Sequence, residues 1–177
     1  WYLLGLSLEA AKRYEQAVAA FDRTIALEPK KAKVFLGKGT SLLALKRFEE
    51  AAVAFEQASV LDNTLVPPLL NQGACLMELH RYEEAIPVYE AALARDPKGK
   101  RALANLTDAL AALGRTTEAF EVSVRLTAFD AKDAEAWARR ARLAKAVGDG
   151  KDALSAITKA AALAPDRVDL LRSKRDI

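Results

Sequence analysis

Apolar and polar positions along the chain follow a helical rhythm that breaks at regular intervals. Between Gly39 and Leu61 an apolar helix, a short break around Lys46 and Arg47, and a second helix succeed one another, and Ala51, Phe55 and Ala58 of the second recur at three- or four-residue spacing, the period of one helix face. The pattern predicts an antiparallel helix-turn-helix hairpin. It also repeats in register: Trp1, Phe35, Leu69, Leu103, Trp137 and Leu171 stand 34 residues apart, with no insertion or deletion between the first and the last. A fixed period of this size marks a stacked repeat architecture.

The same ruler assigns a job to each recurring position. Ala17, Ala51, Ala85, Ala119 and Ala153 share one place, and Gly5, Gly39, Gly73, Thr107 and Ala141 another. Small residues there are expected to let two helices pack backbone to backbone, with an aromatic filling the gap beside them. Tyr14, Phe48 and Tyr82 read as inter-helix aromatics, Phe21, Phe55 and Tyr89 as core aromatics, and Pro29, Pro97 and Pro165 as the stops of second helices. Departures concentrate in the fourth unit of the ladder, where Thr107, Thr116, Ser123, Leu126 and Ala131 replace glycine, tyrosine, phenylalanine, alanine and proline. Leu126 adds bulk that offsets Ser123, and this hairpin is expected to be the weakest of the stack. Pro67 and Pro68 fall at a helix start, where a missing amide is tolerated, and Pro87 is expected to distort its helix mildly without breaking it.

A large apolar residue, then leucine-glycine, tyrosine, alanine, phenylalanine, alanine and proline at a 34-residue period resembles the tetratricopeptide repeat (TPR) family. Five repeats run 1–31, 32–65, 66–99, 100–133 and 134–167, and 168–177 open a sixth first helix, as in a piece of a longer chain. The resemblance implies a single all-α domain over 1–177, a right-handed α-solenoid superhelix of stacked antiparallel hairpins whose concave face is built from first helices. Such faces bind extended peptides or partner helices.

Projected onto this sequence, the family's groove comprises Tyr2, Leu6, Lys33, Leu36, Thr40, Leu43, Leu70, Asn71 and Met77 in an apolar half. Arg101, Asn105, Asp108, Glu135, Arg139, Arg142 and Lys145 make a polar, net basic half. Residues 134–167 carry seven Lys or Arg against four Asp or Glu, whereas 66–99 carry three against five. A ligand with an apolar segment and acidic residues would suit this division; the plainer reading makes Arg139, Arg140 and Arg142 a solvated helix face. Asn71 and Asn105 share one repeat position and resemble the asparagine ladder with which O-linked GlcNAc transferase holds a peptide backbone, a pairing that a primary amide can make without reading side chains. The two-carboxylate clamp of the chaperone-binding subset is matched at Asn71 and Arg101 but not at Leu36, Thr40 and Asn105, which disfavours a co-chaperone role.

Composition narrows the remaining classes. With 51% hydrophobic and 29% charged residues the chain reads as a folded, all-α protein. It lacks a long apolar run and a secretory leader pattern, so no membrane partner and a cytoplasmic location are expected. One cysteine, Cys75, precludes an internal disulfide framework and a cysteine-based zinc cluster, and it reads as a small buried thiol. The one histidine, His80, reads as a solvated turn residue. No phosphate loop, zinc-ligand spacing or serine elbow appears. The acid pairs Glu49-Glu50 and Glu83-Glu84 open second helices, where they favour the helix dipole. Neither an enzyme, a metal site nor a cofactor is therefore expected. Twenty-seven basic residues against 24 acidic ones, with no aromatic interleaved in the basic segment except Trp137, which the repeat claims for packing, place nucleic acid below peptide as a ligand. The expected function is a protein–protein interaction scaffold. The alternatives are the targeting region of a larger enzyme such as a glycosyltransferase, or a self-associating module with an apolar edge at Leu170, Leu171 and Ile177.

Overall fold

The hairpin rhythm is realised as helices whose ends keep the 34-residue register. The structure, a computed structural model, describes residues 1–167, and every regular element among them is an α-helix. These are α1 (Tyr2–Ala10), α2 (Tyr14–Leu27), α3 (Ala32–Ala44), α4 (Phe48–Leu61), α5 (Pro67–Glu78), α6 (Tyr82–Arg95), α7 (Lys100–Ala112), α8 (Thr116–Phe129), α9 (Ala134–Ala146) and α10 (Gly150–Leu163). Odd-numbered helices are the first of each hairpin and even-numbered ones the second. The contacts divide the chain into two compact units, Trp1–Asp96 and Pro97–Ile177. The edge expected through Leu170, Leu171 and Ile177 lies outside the described residues.

In the first unit, α1/α2, α3/α4 and α5/α6 stack one on the next, and one cluster joins Val18, Leu42, Phe55 and Cys75 across four helices. Phe21, Phe55 and Tyr89 are fully buried. Each ring lies directly on a glycine: a Cβ on Gly5, Gly39 or Gly73 would stand 2.6 Å from Phe21, Phe55 or Tyr89. This corrects the expectation of backbone-to-backbone packing, because the glycine makes room for the ring, not for the neighbouring backbone. Phe21 meets a second glycine, Gly37 of α3, at 2.7 Å from a Cβ placed there, so one ring joins two hairpins.

In the second unit, α7/α8 and α9/α10 stack without that device. Thr107 and Ser123 take the glycine and ring places, both fully buried. Each hydroxyl donates into its own helix, Thr107 Oγ1 to the Leu103 carbonyl at 2.8 Å and Ser123 Oγ to the Phe120 carbonyl at 2.6 Å. Leu126 is buried on the same helix as Ser123, and in the last hairpin Ala141 and Ile157 lie within one apolar cluster.

Turns between paired helices follow one design. At the first, the Lys12 N–H donates to the Glu9 carbonyl at 2.9 Å and the Arg13 N–H to the Leu8 carbonyl at 2.8 Å, the paired bonds that close a helix through one left-handed residue. Equivalent bonds close the other four turns. The left-handed residue is Lys12, Lys46 or His80 in the first unit (φ 59°, 59° and 57°) and Gly114 or Gly148 in the second (φ 72° and 84°). A side-chain-bearing residue in that conformation costs about 1–2 kcal/mol.

Proline is not what stops the second helices. α4 and α8 end at the same register as α2, α6 and α10, although Asn63 and Ala131 replace proline there. Pro87 lies inside α6, which continues to Arg95 as expected, and Pro67 and Pro68 occupy the first turn of α5.

Candidate functional site

The residues expected to face a ligand all stand on first helices. In the first unit Leu36 and Thr40 are on α3, and Leu70, Asn71 and Met77 on α5, all half-buried. The Thr40 hydroxyl donates to the Leu36 carbonyl at 2.9 Å, so this position presents mainly its methyl group. In the second unit Arg101, Asn105 and Asp108 are on α7, and Arg139 and Arg142 on α9. Asn71 and Asn105 belong to different units, and each is half-buried on its own helix.

Asp108 and Arg139 are brought together. Arg139 Nε and Nη2 donate to the two carboxylate oxygens at 2.7 and 3.1 Å, a bidentate pair with fixed geometry. These two residues line a pocket of about 220 Å³ with Thr107, Ala111, Arg142 and Leu143. Arg142 stands at its rim with a 70% exposed side chain, 3.7 Å from Glu135, whose other oxygen accepts from Arg167 at 2.8 Å. The pocket thus has an apolar wall, a neutralised ion pair and one exposed cation at its rim.

Arg139 and Arg140 are not part of a solvated face, which corrects that reading for them, whereas Arg142 is solvated as expected. Arg139 is held by Asp108, and Arg140 turns inward to Asp152 of α10, its side chain only 18% exposed. Arg140 also donates to Thr127 Oγ1 at 3.0 Å and lies against the Trp137 ring. Lys159 covers the same ring, 4.2 Å from its centre, and the indole N–H donates to the Ala131 carbonyl at 3.0 Å. This cluster was not foreseen; the signal was the change at the N-cap of the second helix. Arg47, Arg81 and Arg115 each reach a glutamate three residues on, Glu50, Glu84 or Glu118, and hold its carboxyl below the usual range by that hydrogen bond. In the last hairpin Asp149 takes the arginine's place and caps the Asp152 N–H at 2.9 Å, leaving the Asp152 carboxylate for Arg140.

Cys75 is fully buried, and burial pushes its thiol up to about 11, far from the thiolate range a nucleophile needs. His80 is exposed in its turn, its Nδ1 2.7 Å from the Tyr82 hydroxyl. Among the described residues no three His, Cys, Asp or Glu side chains gather to hold a metal ion, and no helix is long and apolar enough to cross a membrane.

No curated protein matches the sequence. Solved structures do. YrrB, described as a TPR protein with an unusual peptide-binding site, superimposes with a TM-score of 0.84 at 22% identity over 97% of this chain and 88% of its own. MamA does so at 0.86 and 16% identity over 94% and 97%. MamA from Desulfovibrio magneticus RS-1, residue 41 to the end, gives 0.81 and 20% over 92% of each. At such identities the likeness shows the fold, an all-α helical solenoid. Two family models described as tetratricopeptide repeat match residues 2–64 and 76–143. With the 34-residue ladder and the hairpins it builds, they show that the chain belongs to the tetratricopeptide repeat family.

Proposed function

We propose that the first-helix faces of this interaction scaffold bind an extended peptide or partner helix that carries apolar residues together with acidic ones. The observation that carries this reading is the pocket beside the Asp108–Arg139 pair. Leu143 and Ala111 offer burial, the ion pair keeps the wall rigid, and Arg142 at 70% exposure can turn from Glu135 at 3.7 Å to an incoming carboxylate. Exchanging one weakly held acid for another costs little, so the contact favours on-rate and orientation more than affinity. Arg139 positions the wall and Arg142 receives the acid. In the first unit the half-buried Leu36, Leu70 and Met77 supply apolar contact of the same kind. The peptide-binding site of YrrB supports the reading as a precedent on this fold.

A random-peptide library displayed on phage and panned on the chain tests it. Selected peptides should be rich in Asp or Glu beside an apolar residue, and Arg142→Glu should weaken them by about tenfold, or 1.4 kcal/mol. Peptides that bind Arg142→Glu and Met77→Glu chains as tightly as the wild type would remove the first-helix faces from consideration.

A further inference from the structure

In the α9/α10 hairpin the ring of Trp137 is covered from within the chain. Lys159 stands 4.2 Å from its centre and the Arg140 guanidinium 5.3 Å, and Arg140 Nε donates to Asp152 at 2.8 Å. In the α3/α4 hairpin the same register places hold Phe35, Gln57, Lys38 and Glu50. The ring and the carboxylate are kept, but the cations are not delivered: Lys38 turns to Asp22 of α2 at 2.6 Å, and Gln57 is neutral. Between α3 and α4 lies a pocket of about 320 Å³, which Phe35, Lys38 and Gln57 line with Val53, Ala54 and the side chains of Glu49 and Glu50. Among the described hairpins only these two join a ring to a carboxylate at these places. Gln16 accompanies Trp1, and leucine replaces the ring opposite Glu84 and Glu118, as Leu69 and Leu103.

α4 carries Glu49, Glu50 and Glu56 and no basic residue. Arg47 forks Glu50, and Arg81, which feels the charge of Glu49, is itself forked by Glu84. Glu49 is therefore the charge that the pocket offers. Glu49, Val53, Glu56 and Val60 share one side of the helix by their spacing, and Val53 is 59% and Val60 70% exposed. The place of Val60 is alanine in every other second helix, as Ala26, Ala94, Ala128 and Ala162. An exposed β-branched residue is a poorer helix former than alanine, so the hairpin itself has no need of this valine. α4 packs on α3 on one side and α5 on the other; its outer side is thus exposed inside the stack and not at an end of it.

We propose that the pocket between α3 and α4 receives an arginine side chain from a partner protein, with apolar residues of the same segment lying along Val53 and Val60. The guanidinium stacks on Phe35 and forks to Glu49, as Arg140 lies on Trp137 and forks to Asp152. Glu49 takes this role because Arg47 already engages Glu50. Arginine fits better than lysine, since a planar guanidinium both stacks on a ring and pairs with a carboxylate through two N–H groups. The proposal is independent of the peptide-binding reading: it uses other helices and a ligand of opposite charge.

The probe is the blocked tripeptide acetyl-Leu-Arg-Leu-amide, titrated into the chain and followed by methyl and aromatic NMR. The Phe35 ring and Val53 methyl signals should move together, with a Kd of about 1 mM or below. Citrulline in place of arginine keeps the shape without the charge and should bind about tenfold more weakly. Glu49→Gln should weaken binding about fivefold, and Phe35→Leu, which installs the residue of two other hairpins, about threefold. Gln57→Lys rebuilds the cation that covers Trp137 and should close the site to the peptide. No movement at Phe35 and Val53 with about 10 mM peptide, equal binding of the citrulline peptide, or affinity indifferent to Glu49→Gln and Gln57→Lys overturns the proposal. So does sedimentation showing a dimer that Val60→Ala dissolves, which would assign the face to a second copy.

Discussion

In each hairpin of the first unit an aromatic ring lies on a glycine. In the second unit, Thr107 with Ser123 and Ala141 with Ile157 hold the same register places. What recurs along the chain is thus a pair of volumes, large against absent or middling against middling, and not a residue type. The polar ties differ as well. The arginines that start α4, α6 and, in the second unit, α8 reach exposed glutamates on their own helices, whereas Arg140 of the last hairpin crosses to a carboxylate 19% exposed. The turns differ in the opposite sense, since the first unit places lysine or histidine where the second has glycine.

The largest effect tests the volume pair. Phe55→Ala should cost about 3–5 kcal/mol in urea denaturation by leaving a cavity beside Gly39. Ser123→Phe should cost about 1–3 kcal/mol by overpacking against Thr107, and adding Thr107→Gly should recover most of it. A double variant no better than the single one would break the pairing rule.

The polar ties come next. Asp152→Ala strands Arg140 against Trp137 and Thr127, and, discounted for partial exposure, should cost about 2 kcal/mol. Glu50→Ala, an exposed pair in the first unit, should leave the unfolding midpoint where it is. Equal losses would mean that the two units do not differ in this respect. The turns are the smallest case: Lys46→Gly should stabilise by up to about 1 kcal/mol and Gly148→Ala destabilise by about as much. Opposite signs in the two units are the expected thermal-melt result.

Hairpins and buried ladder positions were legible in the sequence because each depends on periodicity and local chemistry; the ends of second helices keep the register, but not through the prolines read as their stops. Phe21, Phe55 and Tyr89 were readable as core, although how they met the glycines was not. Partner choice by long side chains was harder to read, because the ladder treats all repeats alike while a guanidinium reaches several candidates. Arg139 and Arg140 are neighbours in sequence, yet one turns to α7 and the other to α10. The N-cap exchange from Arg115 to Asp149 was the visible clue. Among the groove candidates, Asp108, Arg139 and Arg142 are brought to one pocket. The two asparagines depend on how a ligand runs along the helices, which register alone does not determine.

Within each unit every helix packs chiefly on helices one or two places away in sequence. Chain closure before the first useful contact is therefore short, and a low contact order of this kind goes with folding in about microseconds to milliseconds. It also lets a hairpin detach without the whole chain unfolding. A protein built this way can meet a ligand by loosening one repeat, so its response to binding should be local stiffening, readable as slowed amide exchange in the hairpin that holds the ligand.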